Sequence, residues 1–399
     1  MTLPERLQPL INASYPRFSD REMMRRRSRI AVELAEAGCR HLLFCGANRF
    51  GSVVPWLTGW PVTTEAIGVL RPGETDALFV QYHNHVPLAR RIARDAQVAW
   101  GGQSGIAAAI AELRKRGAQE GKVATIGPLS AEQHAALTAA FGRIVNLNKA
   151  YIALRQVKSA EELDWLRVGA HFSDLGMTAL RDNLRPGVTE RALGDSIERA
   201  YVPLGGSHAI HYLGVTPMHD PQIAVPAQFP SNRAVAADDI AFAEVSAAFW
   251  DYSGQVLRSF ALGEPTPLYR DLHAAADAAF DAIVAVLRDG AMPQQVIDAA
   301  RVIEDAGFTT IDDLLHGYGG GYLPPILGTA SRPAGPVPQE PFRAGMTVVI
   351  QPNVVTRDGK AGVQTGEMVL ITQDGIERMH TMPRGFAVVT GPARSAETR

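Results

Sequence analysis

Hydrophobic and polar positions alternate with two periods along this chain, and the mixture changes partway. Ser19, with Glu22 three residues on, opens a helix that Gly38 closes. Arg25–Arg27 read as its basic, solvated face. The short apolar runs HLLFC, AIGVL, DALFVQ and KVATIG read as strands, and residues 87–96, 104–118 and 131–143 as helices. This is an α/β layer with a covered sheet. Ser159 with Glu162 opens a second, longer helix reaching about Asn183, and residues 190–201 give another. Residues 205–235 are rich in Gly, Pro and His and have little helical period. AFAEVSAAFWDYSGQVLRSFALG reads as two strands with a turn between them. Helices over 267–290 and 293–305, a glycine loop HGYGGGYLPP, and the strands MTVVIQPNVV and GVQTGEMVLIT complete the chain. Strands grouped apart from helices make this second part α+β. The predicted domains are residues 1–154, an α/β domain, and 155–399, an α+β domain.

Composition narrows the classes. The 399 residues are 46% apolar and 20% charged, the balance of a globular protein long enough for two domains. A net charge of -2 gives no reason to expect nucleic acid or an anionic membrane as partner. There is no apolar run long enough for a membrane span, and MTLPERLQPL carries charges where a signal peptide needs an apolar core. The expected setting is cytoplasmic. The two cysteines, Cys39 and Cys45, flank a buried-strand pattern and read as free thiols.

Four blocks, in order, carry a family resemblance. RQVKSAEELDWLR resembles the segment that opens the catalytic domain of prolidases, proline aminopeptidases and creatinases. DDIAFAEVSAAFWDYSGQVLRSF resembles the strand pair that holds two metal aspartates in the peptidases. HGYGGGYLPP resembles the loop of the metal histidine, and AGMTVVIQPN with GVQTGEMVLIT the segments of two metal glutamates. The resemblance covers roughly residues 20–390. It implies the pita-bread fold: a creatinase-type α/β domain followed by an α+β catalytic domain. It also implies a homodimer in which PWLTGW of one subunit covers the other's pocket. Trp60 is therefore a candidate substrate contact, with core packing as the alternative.

The departures from that family set the functional expectation. The peptidase ligand positions correspond here to Glu244, Gln255, Gly320, Gln351 and Gly366. One carboxylate, two neutral amides and two glycines cannot offset the charge of two divalent ions. The expected cofactor set is none and the expected metal ligands none. Glu367, beside Gly366, is a possible substitute, although strand alternation points it to the other face. Creatinase is the familiar metal-free relative, and its histidine resembles His219; its two glutamates correspond to Leu257 and Gln351, which departs from creatine chemistry. The ectoine hydrolases are another metal-free branch that the carboxylate at Glu244 resembles.

By its own chemistry Glu244, in the apolar run FAEVSAAF, is a candidate nucleophile or general base; the alternative is an ion pair with Arg258. His219 is its expected proton shuttle or a solvated loop residue. Gln255, Gln351, His316, Tyr318 and Glu367 complete the expected substrate contacts, while His208 and His211 read as pocket rim or plain surface. The leading expectation is a metal-independent hydrolase of a C–N bond in a small amide, amidine or cyclic amidine. The alternatives are an Xaa-Pro aminopeptidase or prolidase-type metallopeptidase with a degenerate metal site, and a non-catalytic binding protein of the same fold.

Overall fold

The computed structural model describes residues 2–47 and 52–389. Two compact units emerge. One runs from Ala13 to Arg155; the other joins the residues up to Asn12 with those from Gln156 onward. The first dozen residues thus belong with the second unit, although the sequence pattern assigns them to the first domain.

The Ala13–Arg155 unit is built on a six-stranded sheet. Its strands are β1 (His41–Ala47), β2 (Glu65–Leu70), β3 (Asp76–Val80), β4 (Ala96–Trp100), β5 (Val123–Ile126) and β6 (Ile144–Asn146), in the order β4-β3-β2-β1-β5-β6. The pairs β1–β2 and β2–β3 are antiparallel, and the others are parallel. The sheet is covered on both sides. Leu42 and Phe44 enter one core and Leu43 and Cys45 the other, which is why β1 is apolar at consecutive positions. Cys39 and Cys45 are free and buried, and burial pushes the Cys45 thiol up to about 12.

The arginine run corrects the expectation of a solvated face. Arg26 is fully buried; it pairs with Glu22 at 2.8 Å, donates to the Trp56 carbonyl at 2.8 Å and lies 3.9 Å from the Phe18 ring centroid. Arg27 pairs with the buried Asp76 at 2.8 Å. Helical spacing aims these two inward, where carboxylates and carbonyls meet their charge. Trp56 and Trp60 are buried as well, each 4% exposed, in the core that β1 and β2 share. Trp60 thus packs inside this core, its ring 5.9 Å from that of His85.

The other unit contains a ten-stranded curled sheet. Its strands are β7 (Ser207–Pro217), β8 (Asp239–Phe249), β9 (Tyr252–Ser253), β10 (Val256–Leu262), β12 (Leu315–Gly317), β13 (Leu323–Leu327), β14 (Thr347–Ile350), β16 (Gly366–Ile371), β17 (Ile376–Arg378) and β18 (Ala387–Val389). The main path is β13-β12-β14-β16-β10-β8-β7. The short strands β11 (Thr309–Thr310) and β15 (Val354–Val355) pair separately. Helix Ala160–Asn183 starts at the Ser159/Glu162 capping box and packs on the β8–β9 hairpin. The contact is backbone-close. A Cβ at Gly254 would stand 2.3 Å from Ala170 Cα, and one at Gly169 would stand 2.4 Å from the Tyr252 carbonyl oxygen. Helix Pro267–Val286 supplies Leu272, Ala276 and Ile283 to a second core, with Ile350 and Leu315 from the sheet. Among the described residues, no helix is long and apolar enough to cross a membrane.

Candidate functional site

Side chains alternate along β8, so Glu244 and Ser246 share one face while Ala243 and Val245 share the other. Val245 faces helix Ala160–Asn183, where a Cβ at Gly176 would lie 3.2 Å from it. Glu244 is thus turned away from that helix. The register sets Tyr212 of β7 and Leu257 of β10 opposite Glu244, and Gly366 of β16 opposite Leu257. One row across the sheet therefore runs Tyr212, Glu244, Leu257, Gly366.

Gln255 and Gln351 join this row from strand ends. Gln255 Nε2 donates to Glu244 Oε1 at 2.6 Å and lies 3.4 Å from Gln351 Oε1. Gln351 Nε2 donates to the Asp313 carbonyl at 3.1 Å. Gln255 Oε1 is buried and has no hydrogen-bond partner among the described residues. An amide acceptor left unmet in a buried position stands ready for a donor from a bound molecule. Glu244 is 6% exposed, and no ion pair to it occurs among the described residues. Burial, and secondarily the negative charge of Asp312, push its carboxyl up to about 8.

His316 is buried on β12, stacked on Tyr322 at 4.2 Å and edge-on to Tyr318 at 5.6 Å between ring centroids. Its Nδ1 lies 3.1 Å from the Gly317 carbonyl, and burial holds its pKa below the usual imidazole range, so the ring is neutral at pH 7. Tyr318 accepts a hydrogen bond from Ser253 at 3.0 Å. The Tyr322 hydroxyl donates to the Asp313 carboxylate. Glu244, Gln255, Gln351, His316 and Tyr318 thus lie in one neighbourhood.

Two expected members lie elsewhere. Glu367 is fully buried between Arg258, at 2.6 Å, and Arg378. Burial works to raise its pKa, but the two guanidinium groups outweigh it and hold the carboxylate ionised. This ion pair removes Glu367 from substrate contact. It also removes the Arg258 partner suggested for Glu244, because Arg258 stands opposite Ala243 in the register and so on the other face. His219 is exposed and follows the end of β7 at Pro217. The backbone N–H of Met218 bonds to the Asp238 carbonyl, just before β8 begins, whereas Glu244 stands at the middle of that strand. Five residues of strand separate Tyr212 from Pro217, roughly 16 Å at the usual rise. Among the described residues no hydrogen bond or ion pair joins His219 to Glu244.

Residues not singled out from the sequence fill the space. Asp312 raises Glu244's pKa by its charge, and Tyr212, opposite Glu244, has its own pKa raised by burial and then by Glu244 and Asp312. The signal available was the paired Asp312-Asp313 four residues before His316.

The sequence pattern of metallopeptidase family M24 matches residues 164–373, just over half of the chain. The chain belongs to metallopeptidase family M24. An uncharacterized peptidase of Staphylococcus saprophyticus is 23% identical over 237 residues, 57% of this chain and 63% of that protein, so the chain spans just under two thirds of this relative's length. The X-Pro aminopeptidase of Thermotoga maritima superposes with a TM-score of 0.78 at 18% identity, covering 91% of this chain and 99% of the other. A dipeptidase of Mycobacterium ulcerans gives 0.77 at 23% identity, covering 94% and 100%. These likenesses show the fold, including its N-terminal α/β unit.

M24 membership raises the question of a dinuclear metal site, and the donor set answers it poorly. Of the five corresponding positions only Glu244 is anionic, and the Gln255 amide nitrogen faces it as a donor. At Gly366, φ is +153°, and a Cβ would stand 2.3 Å from the Ile350 carbonyl oxygen and 2.9 Å from Gln351 Cα. The backbone has closed over a position where a ligand side chain would leave. Among the described residues, three metal-ligating side chains gather instead at Glu198, His208 and His211, away from this row. Two divalent ions do not fit the Glu244 site.

Proposed function

We propose that this M24 member hydrolyses a C–N bond of a small polar substrate, an amide, amidine or cyclic amidine, with Glu244 as general base and without a dinuclear metal. What supports the reading most is one observation: a buried carboxyl that has no cation beside it among the described residues and lies against the Gln255 amide, which reaches Gln351. Deprotonated Glu244 removes a proton from the attacking water and returns it to the leaving nitrogen. The free Gln255 Oε1 and the Gln351 amide hold an N–H or carbonyl of the substrate. Asp312, whose charge acts on Glu244, is a second candidate beside His219 for the proton relay. Tyr318 and His316, with Tyr322, wall the pocket.

A second reading is favoured by the comparisons. The M24 match, and neighbours described as Xaa-Pro peptidases and dipeptidases, support a peptidase that retains a reduced metal site. Its substrate is then a proline-containing dipeptide or short peptide. A screen of Xaa-Pro dipeptides, guanidino acids and ectoine-like amidines, each with and without chelator, separates the two. Turnover that survives chelation and fails in Glu244→Gln supports the first. Turnover of Xaa-Pro peptides that chelator abolishes and metal restores overturns it in favour of the second. A pocket that binds such compounds with no turnover leaves only the third possibility raised by the sequence, a binding protein.

A further inference from the structure

We propose that Glu198, His208 and His211 form a binding site for one divalent transition-metal ion of the zinc class, separate from the Glu244 pocket. The ligand atoms of the three side chains all lie within 4.8 Å of one another. Glu198 Oε1 and His208 Nδ1 are 3.1 Å apart, and the two imidazole centroids 4.3 Å apart. Tetrahedral zinc, with bonds of about 2.0–2.1 Å, sets its ligands about 3.4 Å from each other, so small rotamer shifts close the site. Two imidazoles and one carboxylate are the donor set that zinc, cobalt and nickel take.

The backbone is arranged for this. His208 and His211 are three residues apart, which on a regular strand would place them on opposite faces. The register shifts between His208 and Ile210: His208 pairs with Ala247 and His211 with Val245. Those two β8 residues share a face, so the bulge at position 209 brings both histidines to one side. Bulges commonly re-aim side chains in this way. That side faces helix Glu190–Arg199, which carries Glu198 in its last turn. A carboxylate at a helix C-terminus opposes the helix dipole, and a bound cation offsets that.

The burial pattern is that of a partly built site. His211 is 6% exposed, with the buried Tyr201 hydroxyl 2.6 Å from Nε2 and the Ile210 carbonyl against Nδ1, so an ion takes Nδ1 only as that carbonyl is displaced. That hydroxyl both donates and accepts, so it orients the ring in either tautomer, the role partners beyond the ligands play in zinc proteins. His208 and Glu198 are exposed, which leaves the ion an open path. His211 also precedes Tyr212, which faces Glu244 from the opposite side of β7. An ion here would fix the strand that carries one wall of the pocket.

The test uses untagged full-length protein stripped with chelator and dialysed, then titrated with Zn²⁺ by calorimetry. We expect one Zn²⁺ per chain in the wild type. His208→Ala and Glu198→Gln, both exposed changes that leave the core intact, should weaken binding by at least 10–100-fold, the cost of disturbing even an outer partner of a metal ligand. Glu244→Gln should bind as the wild type does. Absence of Zn²⁺ binding by the wild type overturns the proposal. So does equal affinity in His208→Ala, or loss of binding in Glu244→Gln, which would assign the ion to the pocket.

Discussion

Glu244 is poorly placed to hold a charge: it is 6% exposed, with an amide but, among the described residues, no cation beside it. The pH dependence follows. Burial pushes its carboxyl in the folded chain up to about 8 from the ordinary 4.5 of an exposed glutamate, the value it regains on unfolding. Between those values the folded protein holds a proton that the unfolded chain has released. The group therefore contributes stability that is complete below the unfolded value and lost as pH rises through about 8. Glu244→Gln removes this dependence. Thermal melts should show the variant gaining on the wild type as pH goes from 5 to 9, about the window of that titration. A parallel pair of curves would mean that Glu244 titrates normally.

Glu367 makes the opposite case with the same side chain. Its charge is matched by Arg258 at 2.6 Å and by Arg378. Glu367→Gln leaves Arg258 buried with its counter-charge gone, and should cost ~3–5 kcal/mol. Urea unfolding monitored by tryptophan fluorescence measures it; a loss under about 1 kcal/mol would show that the carbonyls of Pro383, Met382 and Gly366 suffice to hold Arg258.

Among the elements, those with strong local signals were legible before the structure. The Ser159/Glu162 box starts its helix where the pattern sets it, and the run FAEVSAAF with QVLRSFALG is the β8–β10 pair. β7 was not legible. His208, His211 and Tyr212 interrupt its apolar pattern because one face meets a polar cluster and the other a polar pocket, and the bulge breaks the alternation. Missing β7 also hid Tyr212, and it left His219 to be judged by loop resemblance, without a strand to measure its distance from Glu244. The inward arginines were missed for a related reason. Charge alone reads as solvated, and Glu22 and Asp76, which take up Arg26 and Arg27, are identified as partners only when the helix is packed. Close packing yields a further prediction. Gly254→Ala, whose Cβ would overlap Ala170, should destabilise by ~1–3 kcal/mol and loosen Gln255 beside it. A lower melting temperature with weakened substrate binding checks both; an unchanged melt contradicts the contact.

On the scale of the whole molecule, the M24 frame has been kept while four of the five positions that correspond to the peptidase ligands carry amides or glycines. The fold came through in the sequence because four blocks stand in order, and the match over residues 164–373 covers the last three and the end of the first. Glu244, Gln255 and Gln351, named from their positions, lie together in the fold, whereas Asp312 and Tyr212 required the folded sheet to be placed beside them. We also propose a homodimer. With Trp56 and Trp60 in their own core, its interface rests on other surfaces. Light scattering at micromolar concentration should give twice the 43.0 kDa of one chain, and a single-chain mass would exclude it. The central claim is that the Glu244 pocket works without metal. The measurement that tests it most directly is elemental analysis of the His208→Ala variant, purified without chelator, so that an ion at the Glu198 cluster does not enter the count. The account predicts well under one manganese, cobalt, zinc or iron per chain. Two metal ions per chain, retained after His208 is gone and lost in Glu244→Gln, would contradict it.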